Sequence, residues 1–581
     1  MKIWLLLLFT IPALAFAQNL EVVALFPTQH ATTAAPGTPI GITFSAPIDT
    51  TALHEQITVY GDIRGLYVPT IEIDSSGNRL NLTTPGNFAI GEKIRVILHR
   101  SLRGANGQTF SGFQWQFRIQ PTLPTAPGFH PPIVSAVQPF FVGNTLVPFD
   151  FGQNPFVNIA ILNAVITVAT NNGNGNMTFS QQIPGNDIFN PDIGIFDFNR
   201  DNQSDLMAFA GIFSQTTTTS FQFAQGTSSY IHDVIDMNND GYPDLISTPT
   251  ISRDAQAVGI YYYTDGSPYT NLDTLLVDSL IVDAVGGDFN NDGTIDIAYI
   301  TQVFATPGGG GGHNSVRILF LDTSGDTLDW VVYNGSDSLQ IGFPSQISAA
   351  DLNNDGYLDI FIGTNAGDVV LFNNPMGLFR IDDVIHVGGG DAFHWTNVAD
   401  MNGDGRLDLI KCNEISFEVA GGCGYVLNTD SGFVFGPEVQ FRTGSRPVHV
   451  SSGDFNADGA IDLCVLWNDG LRVYLNDPLL GIATKKTPVI DFRLSPNYPN
   501  PFNGETTLQL FLTKTQKVRS ALYNTRGQVV RHFDERSFPA GKPVLKWDGR
   551  DQSGRDVASG VYFWRLKVGQ QSHVAKVVLQ R

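Results

Sequence analysis

Three cysteines in 581 residues cannot supply a disulfide framework, so cross-links do not build this fold. Cys412 and Cys423 could face each other across a hairpin running from Ile410 to Asn428 and pair. Cys464 sits in an apolar run, where a thiol reads as inert core. Past the N-terminal segment no apolar stretch approaches the length of a membrane-crossing helix, so no transmembrane span is expected in the mature chain. Cations are scarce. Against 55 Asp and Glu there are 34 Lys and Arg, a formal net charge of −21, with no basic stripe of the kind nucleic acid requires. Catalytic signatures are absent too: there is no Gly-x-Ser-x-Gly elbow, no His-Glu-x-x-His and no glycine-rich phosphate loop with lysine. Asp74-Ser-Ser-Gly-Asn78 approaches the adhesion-type motif Asp-x-Ser-x-Ser but fails at its fifth position, and Arg-Gly-Asp does not occur.

What is abundant is turn formers between short apolar runs. The chain has 59 glycines and 32 prolines, is 42% hydrophobic and 11% aromatic, and is long enough for three or four domains. That combination predicts packed, turn-rich, all-β domains. The N-terminus reads as a signal peptide over 1–17, with Lys2 as the positive region, Ile3 to Leu8 as the apolar region and Ala15-Phe16-Ala17 as the cleavage site. The apolar region is too short for a retained anchor, and no cysteine follows it for lipidation.

Six times the sequence writes Asp-x-Asn-x-Asp with a further Asp four residues on, starting at Asp197, Asp236, Asp288, Asp351, Asp400 and Asp454. Oxygen side chains at alternate positions of a tight loop converge, and a glycine at position six lets the chain fold back; Asn202 replaces it in the first copy. Hard oxygen donors at this density suit Ca²⁺. The loops hold 18 of the 55 acidic residues, so bound metal would account for much of the negative charge. An EF-hand is excluded, because position twelve is Ala208, Ser247, Tyr299, Ile362, Lys411 or Val465, in or beside β-type runs, and never Glu. Dockerin-like and thrombospondin-like acidic repeats recur at much shorter periods than these loops.

Upstream, Asp150 to Asn158 keeps the frame but has Gly152, Asn154 and Asn158 at the liganding positions, a decayed seventh copy. Successive starts are then 47, 39, 52, 63, 49 and 54 residues apart, each gap suited to one four-stranded propeller blade. The widest gap contains the glycine run Gly308 to Gly312, and Ile360 to Phe372 reads as a hairpin turning at Asn365-Ala-Gly367. This pattern resembles the FG-GAP or VCBS repeats of the integrin α-type seven-bladed β-propeller, over 133–477. The resemblance implies Ca²⁺ held by side chains one, three, five and nine and the carbonyl of seven. Those roles fall on Asp236, Asn238, Asp240, Tyr242 and Asp244, on Asp288, Asn290, Asp292, Thr294 and Asp296, and on Asp351, Asn353, Asp355, Tyr357 and Asp359. They fall also on Asp400, Asn402, Asp404, Arg406 and Asp408, on Asp454, Asn456, Asp458, Ala460 and Asp462, and, more weakly, on Asp197, Asn199, Asp201 and Asp205. Five to six Ca²⁺ are implied.

Two further domains flank the repeats. Residues 18–120 alternate as a β-sandwich does, with Ile40 to Phe44 and Ile94 to Leu98 as strands, and resemble bacterial Ig-like domains of surface-layer and other exported proteins. A proline-rich linker follows over 121–132. After a linker at 478–490 the charge reverses: residues 484–581 hold 17 Lys and Arg against 7 Asp and Glu, a net +10 that leaves −31 for the rest. Within 491–581, Leu494 to Asn503, Lys546-Trp-Asp-Gly549 and Ala558 to Phe563 resemble the C-terminal sorting domain of type IX secretion, a FlgD-like Ig fold. The resemblance implies delivery across a Gram-negative outer membrane by that machinery.

The expectation is therefore an all-β, seven-bladed propeller between two Ig-like sandwiches, secreted or held at the cell surface. Its expected role is binding or adhesion to an extracellular protein or glycan. The competing expectations are a polysaccharide lyase-like, carbohydrate-active enzyme on a Ca²⁺-stabilised propeller, and a passive scaffold. His394-Trp395 and Tyr261-Tyr-Tyr263 are the side chains that could grip a sugar, although a strand-packing histidine and alternating core or rim tyrosines are the favoured reading.

Overall fold

The computed structural model of the chain describes residues 19–581 apart from short segments. The longer of these are 123–126, 136–144, 150–156, 185–193, 250–255, 303–313, 322–326, 335–343, 375–378, 380–384, 388–393, 414–421, 430–438, 442–446, 478–491 and 495–501. The expected signal peptide, Asp150, Gly152, Asn154, Asn202, the run 308–312, the turn 365–367, the 478–490 linker and the side chains of His394 and Trp395 lie outside the described residues. Among the described residues no helix is long and apolar enough to cross a membrane.

The N-terminal domain is a sandwich of two four-stranded antiparallel sheets. One holds Val22–Phe26, Ile40–Phe44, Arg79–Thr83 and Thr70–Ile73; the other holds Gly65–Tyr67, Ile57–Gly61, Lys93–Leu98 and Phe113–Arg118. In Ile40–Phe44 the residues alternate between buried and half-buried, so the sequence period of two becomes one core face. Phe44, Val96, Trp115 and Phe117 meet in that core.

Seven four-stranded antiparallel sheets follow among the described residues. Their first strands are Thr145–Phe149, Gly194–Phe196, Ser229–Ile235, Leu280–Gly287, Pro344–Ala350, His394–Ala399 and Pro447–Gly453. Each of the first six sheets runs in simple chain order; the seventh takes its outer strand, Ile133–Ser135, from the start of the region, pairing it with Gly470–Tyr474. Every sheet shares a hydrophobic core with the next. Phe149 and Ile166 of the first sheet pack with Leu206 and Phe213 of the second, and the series continues to Tyr425 of the sixth with Trp467 of the seventh. Phe455 and Leu466 of the seventh then pack with Ile159 and Ile161 of the first, which closes the succession. This is the connectivity of a β-propeller. Because each sheet is covered on both faces, its second strand is buried throughout, as in Asp359–Thr364 and Asp462–Trp467. That is why these strands read as unbroken apolar runs instead of alternating ones.

The first strands are tied to one another by side chains. The Asp233 carboxylate accepts the Gly286 N–H at 2.9 Å, Asp283 accepts that of Ile347 at 3.0 Å, and Gln346 accepts that of Thr396 at 2.7 Å. Cys412 and Cys423 lie opposite each other on adjacent strands of the sixth sheet and are joined by a disulfide, while Cys464 is buried.

Residues 483–581 form a separate compact unit. Its sheets are Phe492–Leu494, Thr506–Leu512 and Val544–Trp547, and Val529–Phe538, Gln516–Asn524, Gly560–Val568 and Gln571–Leu579. Trp547 and Trp564 are fully buried between them with Leu508, Leu522 and Leu566. The Lys546-Trp-Asp-Gly549 motif is explained locally. The Trp547 indole donates to the Arg550 carbonyl at 3.0 Å, and Gly549 takes the left-handed backbone (φ 71°) that closes the turn.

Candidate metal centres

Each Asp-x-Asn-x-Asp segment joins the first and second strands of its sheet, and all six fold alike. The first Asp carboxylate accepts the N–H of position five at 3.0–3.2 Å in every copy. It also accepts the position-six N–H at 2.6–2.9 Å in the five copies that have glycine there. The position-five carboxylate accepts the N–H of position seven at 2.8–3.0 Å. The last Asp spans the loop: one oxygen accepts the N–H of position two at 2.8–3.1 Å. Its other oxygen accepts an N–H at the end of the third strand at 2.7–3.0 Å. Asn158 keeps that last role in the decayed copy, accepting the Asn171 N–H at 2.9 Å.

Position four is as constrained as position six. Asn239, Asn291, Asn354, Gly403 and Ala457 all have φ between 56° and 68°, the left-handed region where asparagine and glycine are tolerated best. These asparagines also reach sideways. Asn239, Asn291 and Asn354 donate their amides to the carbonyls of Gly293, Gly356 and Gly405 in the following loops at 3.3, 2.8 and 3.0 Å. The N-terminal domain caps the same three side chains. Gln114 Nε2, His30 Nε2 and Thr32 Oγ1 meet the oxygens of Asn239, Asn291 and Asn354 at 2.9, 3.2 and 3.1 Å. Gln29 reaches the Asp288 carboxylate at 2.8 Å, and the Thr122 N–H reaches the Gly459 carbonyl at 3.0 Å. The loops and the N-terminal sandwich therefore form one interlocked face. Sequence reasoning missed this second set of residues; the recurrence of Asn or Gly at position four was the available signal.

Comparison with known families matches each region. Residues 288–362 and 351–410 match the FG-GAP-like repeat, 17–119 the bacterial Ig-like domain, and 497–580 the secretion system C-terminal sorting domain. The chain carries FG-GAP-like repeats between an Ig-like domain and a sorting domain. The sorting domain marks a secreted or cell-surface protein that engages the type IX machinery. No match was found among curated proteins. Among solved structures, the chain is similar to an Agrocybe aegerita lectin that recognises non-reducing terminal N-acetylglucosamine (16% identity, 72% of this chain and 97% of that one, TM-score 0.35). It is also similar to PorZ, a surface component of the type-IX secretion system of Porphyromonas gingivalis (11%, 97% and 100%, 0.21), and to the exotype rhamnogalacturonan lyase YesX (11%, 95% and 90%, 0.26). All three TM-scores lie below 0.5, and nothing below rests on them.

In the FG-GAP-like loops the first and last aspartates are buried and position five is the more exposed. Burial, then the charge of Asp240, pushes Asp236 up to about 7. Burial, opposed by the Leu321 N–H and reinforced by Asp288 and Asp292, pushes Asp296 up to about 8. Burial likewise raises Asp205 and Asp288 to about 7 and Asp351 and Asp454 to about 6, and lifts Asp244, Asp359, Asp400, Asp408 and Asp462. These carboxylates crowd one another in a poor dielectric. Among the described residues, no side-chain cation lies within ion-pair distance of the first or last Asp in the five loops from Asp236 onward. Arg100 and Arg406 approach the position-five carboxylates of Asp240 and Asp404, at 3.9 and 2.6 Å.

Among the described residues, no three His, Cys, Asp or Glu side chains already stand at metal-binding separation. The reason is local. In five loops the position-three amide nitrogen donates to the position-five carboxylate at 2.8–3.2 Å, turning the donor set inward on itself. In the loop from Asp236 the Asn238 oxygen is instead buried with no hydrogen-bond partner. Three carboxylates, an amide oxygen and a backbone carbonyl are the donor chemistry of a hard divalent cation, and the residues present fit one. The sugar-gripping expectation for Tyr261 to Tyr263 gains nothing. Tyr261 and Tyr263 pack on the core shared by the second and third sheets, and Tyr262 on that of the third and fourth.

Proposed function

We propose that this is a calcium-loaded binding protein of the cell exterior. Ions in the FG-GAP-like loops stiffen the side of the propeller that the Ig-like domain covers, and the turns of the opposite side engage an extracellular protein or glycan. The observation supporting this reading is the sixfold recurrence of a carboxylate trio, two of its members buried, whose own charges oppose one another. A divalent cation offsets that repulsion, and its preference for six to eight oxygens in a forgiving geometry favours Ca²⁺ over Mg²⁺. Each position-three asparagine would turn its oxygen inward on loading. An ion present at about a hundred times its dissociation constant adds roughly 2.7 kcal/mol per site. Occupation of several loops would make folding strongly calcium-dependent.

The test is thermal unfolding of the secreted chain in millimolar calcium and in excess EDTA. A large fall in the transition on chelation is expected, and an unchanged transition contradicts the structural-metal role. The partner half of the reading is tested on arrays of glycans and matrix proteins. Saturable, calcium-dependent capture supports it, and capture of nothing leaves a scaffold.

A further inference from the structure

Five of the six metal loops turn their donors on one another, and one does not. In the loops from Asp197, Asp288, Asp351, Asp400 and Asp454 the position-three amide nitrogen donates to Oδ2 of the position-five carboxylate at 2.8–3.2 Å. Bringing that amide's oxygen to a cation breaks a hydrogen bond to a charged group. Among the described residues Asn238 and Asp240 share no such bond, and the Asn238 oxygen is buried without a hydrogen-bond partner. An unpaired buried acceptor is unfavourable, and a cation ligated there relieves it.

The Ig-like domain grips this loop on either side of Asn238. Gln114, almost fully buried, donates through Nε2 to the Asp236 carbonyl at 2.5 Å and to Asn239 Oδ1 at 2.9 Å. The Arg100 N–H donates to the Asn239 carbonyl at 2.8 Å. A methyl on Gly112 would overlap Asn239 Cβ, so the two backbones are in close contact. Elsewhere the domain's hold is different. Gln29, His30 and Thr32 reach side chains of the loops from Asp288 and Asp351, and Thr32 and Thr122 reach the position-six carbonyls of the loops from Asp400 and Asp454. Fixing the carbonyls of positions one and four orders the Asp236 loop before any ligand arrives, and preorganisation of this kind strengthens binding. The Arg100 guanidinium lies 3.9 Å from Asp240 Oδ2, the oxygen that accepts the asparagine amide in the other loops. Its side chain is half-exposed, so solvent and salt screen its charge and it opposes a cation only weakly.

We propose that the loop from Asp236 is the chain's primary calcium site, preorganised by the Ig-like domain and filled before the other five. Gln114 is its positioning residue, and Asn238 is the donor already released. This inference rests on the calcium reading above and gives its sites an order.

The test is calorimetric titration of calcium into the full mature chain after EDTA stripping and dialysis. One ion per chain should bind about ten- to hundred-fold more tightly than the rest, the effect of one or two hydrogen bonds not broken on loading. Asp244→Asn should remove that step and leave the weaker ones, whereas Asp296→Asn should keep it and remove one weaker ion. Asn238→Leu puts an apolar group where the unpaired oxygen was, so it spares the calcium-free fold, and it should also abolish the tight step. Gln114→Ala should weaken the tight step about ten-fold without changing the weaker steps or the melting transition in EDTA. Thr32→Val, which loosens the same domain at the loops from Asp351 and Asp400, should leave the tight step unchanged. Absence of any calcium binding overturns the calcium reading and this inference together. Six equal sites, or a tight step that survives Asp244→Asn, overturns this inference alone. So does a tight step that Gln114→Ala leaves unchanged or that Thr32→Val weakens equally.

Discussion

Asn291 in one metal loop donates its side-chain amide to the carbonyl of Gly356 in the next, 2.8 Å away, while its oxygen meets His30 of the Ig-like domain at 3.2 Å. One residue thus ties two sheets and two domains together. Asn291→Gly keeps the left-handed backbone (φ 59°) and removes both contacts. A loss of about 1–3 kcal/mol is expected from the buried partners left behind. Asn291→Ala adds roughly another 1 kcal/mol of backbone strain. Urea unfolding of the two variants measures both terms, and equal stability of variant and wild type would contradict the tie.

A pair of glycines separates loop strain from domain docking. Gly241 and Gly356 hold the same loop position with φ of 87° and 88°. A methyl on Gly241 would overlap the His99 ring of the Ig-like domain, whereas one on Gly356 meets nothing. Both alanine variants share the strain cost, but only Gly241→Ala should loosen the domain. Limited proteolysis of the 121–132 connection should be faster in Gly241→Ala than in Gly356→Ala; equal rates would place docking elsewhere.

Glu92, buried in the Ig-like domain, sets a pH dependence. Its carboxylate accepts the Arg64 and Ala89 N–H groups at 2.6 and 2.9 Å and the Tyr67 hydroxyl at 2.7 Å. Burial outweighs these bonds and pushes its carboxyl from 4.5 up to about 7. A folded-state value above the unfolded one means the stabilisation is complete below pH 4.5 and is lost as pH rises through 7. The loss is about 3 kcal/mol. The stability of wild type minus that of Glu92→Gln should therefore fall by that amount from pH 4 to pH 8. A difference that stays flat across this range would contradict the assignment.

Between the fifth and sixth sheets, the Lys411 ammonium lies 3.8 Å from the Asp368 carboxylate, both almost fully buried. Lys411→Met leaves a buried carboxylate without its cation, at a cost of about 3–5 kcal/mol. Adding Asp368→Leu should recover most of that loss. Thermal unfolding of the single and double variants checks the expectation, which fails if the double variant is the less stable.

The repeat was legible because every copy must place the same carboxylates at the same spacing, and because a sheet covered on both faces needs an unbroken apolar strand after its last Asp. The sandwich could be read from Ile40 to Phe44 for the complementary reason, one covered face and a period of two. What stayed hidden depends on contacts between residues remote in the chain. Nothing near Gln29, His30 or Gln114 announces that loops some 125–260 residues away will accept their hydrogen bonds. Lys93 and Arg118 look like ordinary exposed-face strand cations until the converging first strands enclose them. Asn373, Asn428 and Asn476, which close the last Asp of three loops and donate to the loop before, recur only at the variable length of each hairpin.

Metal analysis of the purified chain, after dialysis against calcium buffer and removal of free ions, bears most directly on the account. Five to six calcium ions per chain are predicted, falling by one with each loop whose last aspartate is replaced, as in Asp296→Asn. A chain that carries no stoichiometric calcium yet keeps its melting transition would contradict it.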